Sequence, residues 1–114
     1  MADCIFCRIA RGEIPSEIVH QDDELVAFRD VNPQAPTHIL IIPKEHIEST
    51  LALSEAHDRL VGRVHRLAAD LARKEGIAER GFRLVLNTNR EAGQSVFHLH
   101  FHLLGGRPMH WPPG

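Results

Sequence analysis

The chain has 114 residues, 43% apolar and 25% charged, a balance ordinary for a globular protein able to bury a core. Thirteen Lys and Arg against fifteen Asp and Glu give a formal net charge of −2 with no block of one sign, so no nucleic-acid partner is expected. No apolar run approaches the roughly 20 residues that span a bilayer, and Met1-Ala2-Asp3-Cys4 opens no leader, so the expectation is no membrane and a cytoplasmic location.

In chain order, Ile5 to Arg11 can form a short helix closed by Gly12, next to the two cysteines of the chain, Cys4 and Cys7. In a reducing compartment the pair does not suggest a disulfide framework; a redox pair or half of a metal site stays open. Glu17 to Gln21 and Leu25 to Arg29 read as short strands around the turn residues Asp22 and Asp23. Two prolines make residues 30–36 an irregular loop. His38 to Pro43 is a continuous apolar run, as expected of a strand buried on both faces. Ser54 can cap a long helix in which Leu60, Val61, Val64, Leu67, Ala68, Leu71 and Ala72 recur at helical spacing, ending at Gly76. Phe82 to Thr88 alternates as a strand, and residues 96–104 form the last one, broken by Gly105-Gly106. The expected class is α+β, a mainly antiparallel five-stranded sheet with one long and one short helix. With no repeat and no linker, one domain is expected over residues 1–114, with 105–114 as an extended tail.

Nine histidines stand out, and His98, His100 and His102 alternate with Leu99, Phe101 and Leu103. On an extended strand this period puts the imidazoles on one face, roughly 7 Å apart, and the apolar residues on the other. Imidazole serves as nucleophile, general acid or base, or metal ligand. A three-histidine zinc site is one reading, but neighbours on one flat strand face point nearly parallel and converge poorly on an ion. His20, His57 and His65 need only a hydrogen-bonded or solvated place. Just before the strand, Gly93-Gln94-Ser95 suits an anion-binding nest of backbone N–H groups, and equally a plain hairpin turn. No phosphate-binding Walker loop and no carboxylate pair for Mg²⁺ is apparent.

The run His98-Leu99-His100-Phe101-His102-Leu103-Leu104 resembles the His-φ-His-φ-His-φ-φ signature (φ apolar) of the histidine triad superfamily, in particular its nucleotide-binding branch of purine nucleoside phosphoramidases. The resemblance extends to Asp30-Val31, Pro33-Gln34-Ala35-Pro36-Thr37-His38, Ile42-Pro43, Asn87, Gly93-Gln94-Ser95 and the ending from Gly105 to Gly114. It implies a histidine triad fold and hydrolysis of the P–N bond of adenosine or guanosine 5′-phosphoramidates, with aminoacyl-adenylates as further substrates, through a nucleotidyl-histidine intermediate. By resemblance His100 is the nucleophile, its Nδ1–H held by the carbonyl of His98. His102 binds phosphate oxygens or moves protons, and His38 completes the relay. Asn87, Gly93, Gln94 and Ser95 would face the phosphoryl group, and Asp30 the ribose hydroxyls. Val31 would clamp the purine with Ile5, Ile14 and Phe28.

Catalysis on this pattern requires no cofactor. Cys4, Cys7, His46 and His98 nonetheless have the composition of a tetrahedral Cys2His2 zinc site, and some triad proteins carry a structural zinc on similarly placed residues. The alternative is that His98 serves only through its carbonyl. The resemblance also implies a homodimer with joined sheets, the Trp111 tail reaching the partner subunit. A non-catalytic purine nucleotide-binding regulatory protein is the competing functional expectation.

Overall fold

The computed structural model describes residues 4–114. Met1 to Asp3, part of the stretch from which the absence of a leader is expected, lie outside them. The elements are α1 (Ile5–Ala10), β1 (Ile18–Gln21), β2 (Leu25–Arg29), β3 (Thr37–Pro43), α2 (Asp58–Lys74), β4 (Phe82–Leu86) and β5 (Phe101–Gly105). The five strands form one sheet in the order β1-β2-β3-β5-β4, every neighbouring pair antiparallel. This is the expected α+β class, with one long and one short helix. No helix among the described residues is long and apolar enough to cross a membrane.

The apolar run of β3 acquires its meaning from the two layers around it, since all seven of its residues are buried. Ile39 and Ile41 join Leu25, Ala27, Leu99, Phe101 and Leu103 on the face that α2 covers with Val64, Ala68 and Leu71. Leu40 and Ile42 join Val26 and Phe28 on the opposite face, which α1 covers with Phe6, Ile9 and Ala10. Full burial of such a side chain is worth about 1.5–3 kcal/mol, so the central strand is fixed from both sides. The apolar half of the histidine run thus packs under α2, as its alternation requires.

Ser54 caps a single helical turn, Glu55–His57, that leads into α2. The Ser54 hydroxyl accepts the Ala56 N–H and the His57 Nδ1 accepts the Ser54 N–H at 3.0 Å, a reciprocal cap with histidine in the usual place of glutamate. At the other end Gly76, with φ of +75°, turns the chain out of the helix. The Glu75 carboxylate takes both guanidinium nitrogens of Arg29 at 2.9 Å, tying the end of α2 to β2.

The last strand is shorter than its sequence suggests. The ladder begins at Phe101 opposite Ile41, so His98 and His100 precede it and only His102 lies within it. Continued for two residues, that register would set Leu99 against Pro43, which has no N–H to donate. Instead the Leu99 N–H donates to the carbonyl of Ile47 at 2.6 Å, and the freed carbonyl of Pro43 accepts from His98 Nε2 at 2.8 Å. The fourth strand likewise ends at Leu86, short of Thr88. Residues 87–100 are therefore a long irregular connection, and Gly93-Gln94-Ser95 does not sit in a tight hairpin turn.

Candidate active site

The three histidines of the run divide between two clusters on the sheet face that α1 covers. His100 and His102 stay together, ring centroids 5.0 Å apart, and β3 brings His38 to within 5.2 Å of His102. His98 is wholly buried and joins Cys4, Cys7 and His46. Phe6 of α1 presents its ring edge-on to both, with centroids 5.1 Å from His100 and 6.0 Å from His98. Phe6 lies between the two cysteines in sequence, and its apolar i, i+3 spacing with Ile9 was the only sign that it would face the sheet.

Hydrogen bonds fix the protons on these rings. His100 Nδ1 lies 2.7 Å from the carbonyl of His98, which can only accept, so Nδ1 carries the hydrogen and Nε2 keeps its lone pair. The Gln34 backbone N–H donates to His38 Nδ1 at 3.0 Å, so the neutral His38 ring carries its hydrogen on Nε2. That Nε2–H points at His102 Nδ1, 2.9 Å away, with Asp30 Oδ2 at 3.4 Å. His102 Nδ1 is therefore an acceptor, and its own hydrogen sits on Nε2. The site offers one nucleophilic nitrogen on His100 and one donor on His102. With Nδ1 held by the Gln34 N–H, His38 sets the tautomer of His102 through its Nε2–H.

Burial keeps the cluster uncharged. It holds His100 below the ordinary imidazole range, outweighing the His98 carbonyl and Asp30, which pull the other way. Burial likewise lowers His38 against the pull of Asp30. His102 is pushed down to about 4, by burial first and then by the neighbouring His100 and His38.

The remaining predicted residues fall into place unequally. Asp30 follows β2, with Oδ1 accepting the Asn32 N–H at 2.8 Å and Oδ2 turned toward His38. Val31 beside it is 99% exposed, Ile5 is half exposed, and Phe28 is buried against Phe6. Phe28 thus forms part of the core. Asn87 is half-buried just past β4. The N–H groups of Gly93 and Gln94 already donate to the carbonyls of Arg90 and Asn89. The Gln94 side chain spends its hydrogen bonds on the protein, leaving exposed Ser95 as the residue of that run open to a ligand. His20 and His57 pair with Asp22 and Glu45, and His65 is exposed against Phe101.

Two groups of side chains have the composition of a metal site. In the first, Cys4 Sγ lies 3.3 Å from His98 Nδ1, and Cys7 Sγ lies 3.2 Å from His46 Nδ1 and 3.5 Å from His98 Nδ1. Tetrahedral zinc with bonds of about 2.0–2.3 Å sets its ligands about 3.3–3.8 Å apart, so the spacing fits. His98 also donates its other nitrogen to the Pro43 carbonyl, the outer contact a zinc-bound imidazole uses. In the second group, Asp30, His38 and His102 also approach one another. There the Gln34 N–H forbids the tautomer that would free His38 Nε2 for a metal, so that set does not fit.

A neutral, backbone-tied imidazole nucleophile beside a second imidazole donor, on an antiparallel sheet covered by a helix on each face, defines a histidine-centred class of α+β protein. A family model described as HIT domain matches residues 11–109, and the chain belongs to that family. It is 56% identical over 107 residues to the purine nucleoside phosphoramidase of Escherichia coli K12, covering 94% of this chain and 90% of that protein. A HIT family hydrolase from Legionella pneumophila superposes with a TM-score of 0.97 at 51% identity, covering 98% of this chain and all of the other. A histidine triad protein from Clostridium difficile superposes at 0.93 with 42% identity and 96% coverage of both.

The lowered histidines set a sign for stability against pH. His102 goes from the ordinary 6.5 to about 4 on folding, so between those values the unfolded chain binds more protons. Its contribution is full above pH 6.5 and is lost as pH falls toward 4. Urea unfolding at pH 7.0, 5.5 and 4.5 should give falling stability, and the His102 ring should stay neutral by NMR at pH 5. Titration of that ring at 6.5 or above would refute this.

Proposed function

We propose that this protein is a hydrolase acting on the P–N bond of adenosine or guanosine 5′-phosphoramidates and, by the same attack on phosphorus with a carboxylate leaving, on the P–O bond of aminoacyl-adenylates. The observation that carries the reading is the 2.7 Å contact from His100 Nδ1 to the His98 carbonyl, which leaves His100 Nε2 as a free nucleophile next to the His102 donor. Extensive identity to a relative bearing the phosphoramidase name supports the substrate class. His100 Nε2 attacks phosphorus and the P–N bond breaks as the departing nitrogen takes a proton from solvent, while His102 Nε2–H hydrogen-bonds a phosphoryl oxygen. The His98 carbonyl steadies the cationic nucleotidyl-imidazole. Water then attacks phosphorus, releases the nucleoside monophosphate and restores the ring. Ser95 and Asn87 contact phosphoryl oxygens and Asp30 the ribose hydroxyls.

Replacing His100 by Ala should lower turnover by at least about 10³-fold while purine nucleotide binding persists. Mass spectrometry of the parent quenched during turnover should find a nucleoside monophosphate on His100. Nucleotide binding with no turnover of any phosphoramidate would favour the regulatory, non-catalytic reading.

Cys4, Cys7, His46 and His98 would hold a structural zinc, whose role is to pin α1 to the sheet; catalysis passes through none of it. Without metal, burial and the adjacent Cys4 push the Cys7 thiol up, the reverse of an activated redox cysteine. Elemental analysis should find one zinc per chain. Removing it with a chelator should lower the Tm while phosphoramidate turnover continues. Metal-free protein from zinc-replete growth would end this proposal.

The chain acts as one histidine triad domain; β5 runs through Gly105, so the extended tail is residues 106–114, and the free thiols suit a cytoplasmic setting. It pairs as a homodimer through β4. That strand is a sheet edge whose residues Leu84, Val85 and Leu86 are only half-buried, and Trp111 on the tail is 82% exposed. Sedimentation at micromolar concentration should give twice the chain mass; a monomer there would refute the pairing.

A further inference from the structure

Asn89 has φ of 67° and ψ of −177°, the one positive φ among the described non-glycine residues. Asparagine tolerates the left-handed helical region, where ψ is near +47°, but this combination belongs almost solely to glycine. A conformation so strained persists only where its surroundings impose it. Asn89 makes no side-chain cap of its own. What holds it is Gln94, at both backbone ends: Gln94 Oε1 accepts the Asn89 N–H at 2.8 Å, and the Gln94 N–H donates to the Asn89 carbonyl at 3.1 Å.

The same side chain reaches further. Gln94 Nε2 donates to the Glu48 carbonyl at 2.8 Å and to the Val96 carbonyl at 3.2 Å. Gln94 is buried while Arg90, Glu91, Ala92, Gly93 and Ser95 around it are exposed. One buried amide therefore joins the start of the loop, its end and the segment beneath it. That segment also supplies the Ile47 carbonyl that accepts the N–H of Leu99, the residue between His98 and His100.

We propose that Gln94 is a positioning residue, a latch that holds Asn89 in its strained turn and so fixes the loop that offers Ser95 to the phosphoryl group. The role of Ser95 rests on the functional reading above; the latch itself rests on the backbone geometry. Its work is done through the backbone, not by touching nucleotide.

A double-mutant cycle tests it. Gln94→Leu keeps the bulk and removes the three side-chain hydrogen bonds, releasing the Asn89 N–H so that the turn can relax. The KM for an adenosine phosphoramidate should rise about tenfold with kcat changed less than about threefold, the split expected when binding donors are misplaced and the nucleophile is intact. A merely structural defect would lower the active fraction, and with it apparent kcat, at constant KM. Adding Asn89→Gly should bring KM back to within about threefold of the parent, because glycine holds that φ and ψ unaided. An unchanged KM in Gln94→Leu, or a double variant as impaired as the single one, overturns the latch. Should Gln94→Leu fail to fold, Asn89→Gly alone decides: relief of strain should raise the Tm by about 2–5 °C, and an unchanged or lower Tm overturns the proposal. That measurement needs no substrate. Absence of phosphoramidate turnover in the parent would sink the functional reading and leave the latch standing on its Tm.

Discussion

The hydrogen bond from His100 Nδ1–H to the His98 carbonyl makes the nucleophile, because it decides which of two chemically similar nitrogens carries the hydrogen. Were the tautomer reversed, the nitrogen facing substrate would be a donor and the lone pair would point into the backbone. The bond in turn depends on His98 staying where it is. Its ring is held by the Pro43 carbonyl and lies against two thiols, and the next residue is held through the Leu99 N–H to Ile47. A single residue thus belongs to two clusters, its ring to the cysteine site and its carbonyl to the nucleophile. Rigidity in one is handed to the other without any intervening side chain.

Neutrality of the triad is the second requirement, and it comes from competing effects of opposite sign. Asp30 lies within 3.4 Å of His38 and draws all three rings toward protonation. Burial prevails for each of His38, His100 and His102. For His102, the N–H that His38 aims at its Nδ1 acts in the same direction, since a second proton would bring two donors face to face. A cationic His100 could not attack phosphorus, and a cationic His102 would have no lone pair to receive His38. Low polarity around the rings is therefore part of the chemistry, and α1 provides it by laying Phe6 edge-on against His100.

How much of this the sequence disclosed varies with the kind of signal. Strands β1, β2 and β3, the long helix and the division of the histidine run into core and site faces follow from periodicity, and burial bears them out. Cys4, Cys7, His46 and His98 already had the composition of a zinc site in sequence, and the fold adds their mutual proximity. What escaped depends on backbone groups that carry no side-chain label. The Gln34 N–H that sets the His38 tautomer could be any residue's amide. Asn89 in a glycine conformation looks in sequence like an ordinary turn asparagine. Gln94, beside a glycine and a serine, gives no sign in sequence that its amide joins three backbone partners. That Phe28 packs under Phe6 was not legible either, because alternation alone does not say which face a short helix will cover.

Proline at position 43 resolves a conflict that the histidine run would otherwise create. An uninterrupted ladder from residue 96 to 104 would hold all three imidazoles at one spacing and direct every backbone carbonyl into the sheet. The His98 carbonyl could not then turn to His100. Because Pro43 cannot donate, the pairing stops at Ile41 and Phe101, two residues short of it. The chain before Phe101 is released from the sheet yet not left loose, since the spare Pro43 carbonyl captures the His98 ring and Ile47 captures Leu99. The defect in the ladder frees a carbonyl for His100 and sets His98 back among the cysteines. Regular structure supplies His102 and His38 at cross-strand distance, and its interruption supplies the nucleophile.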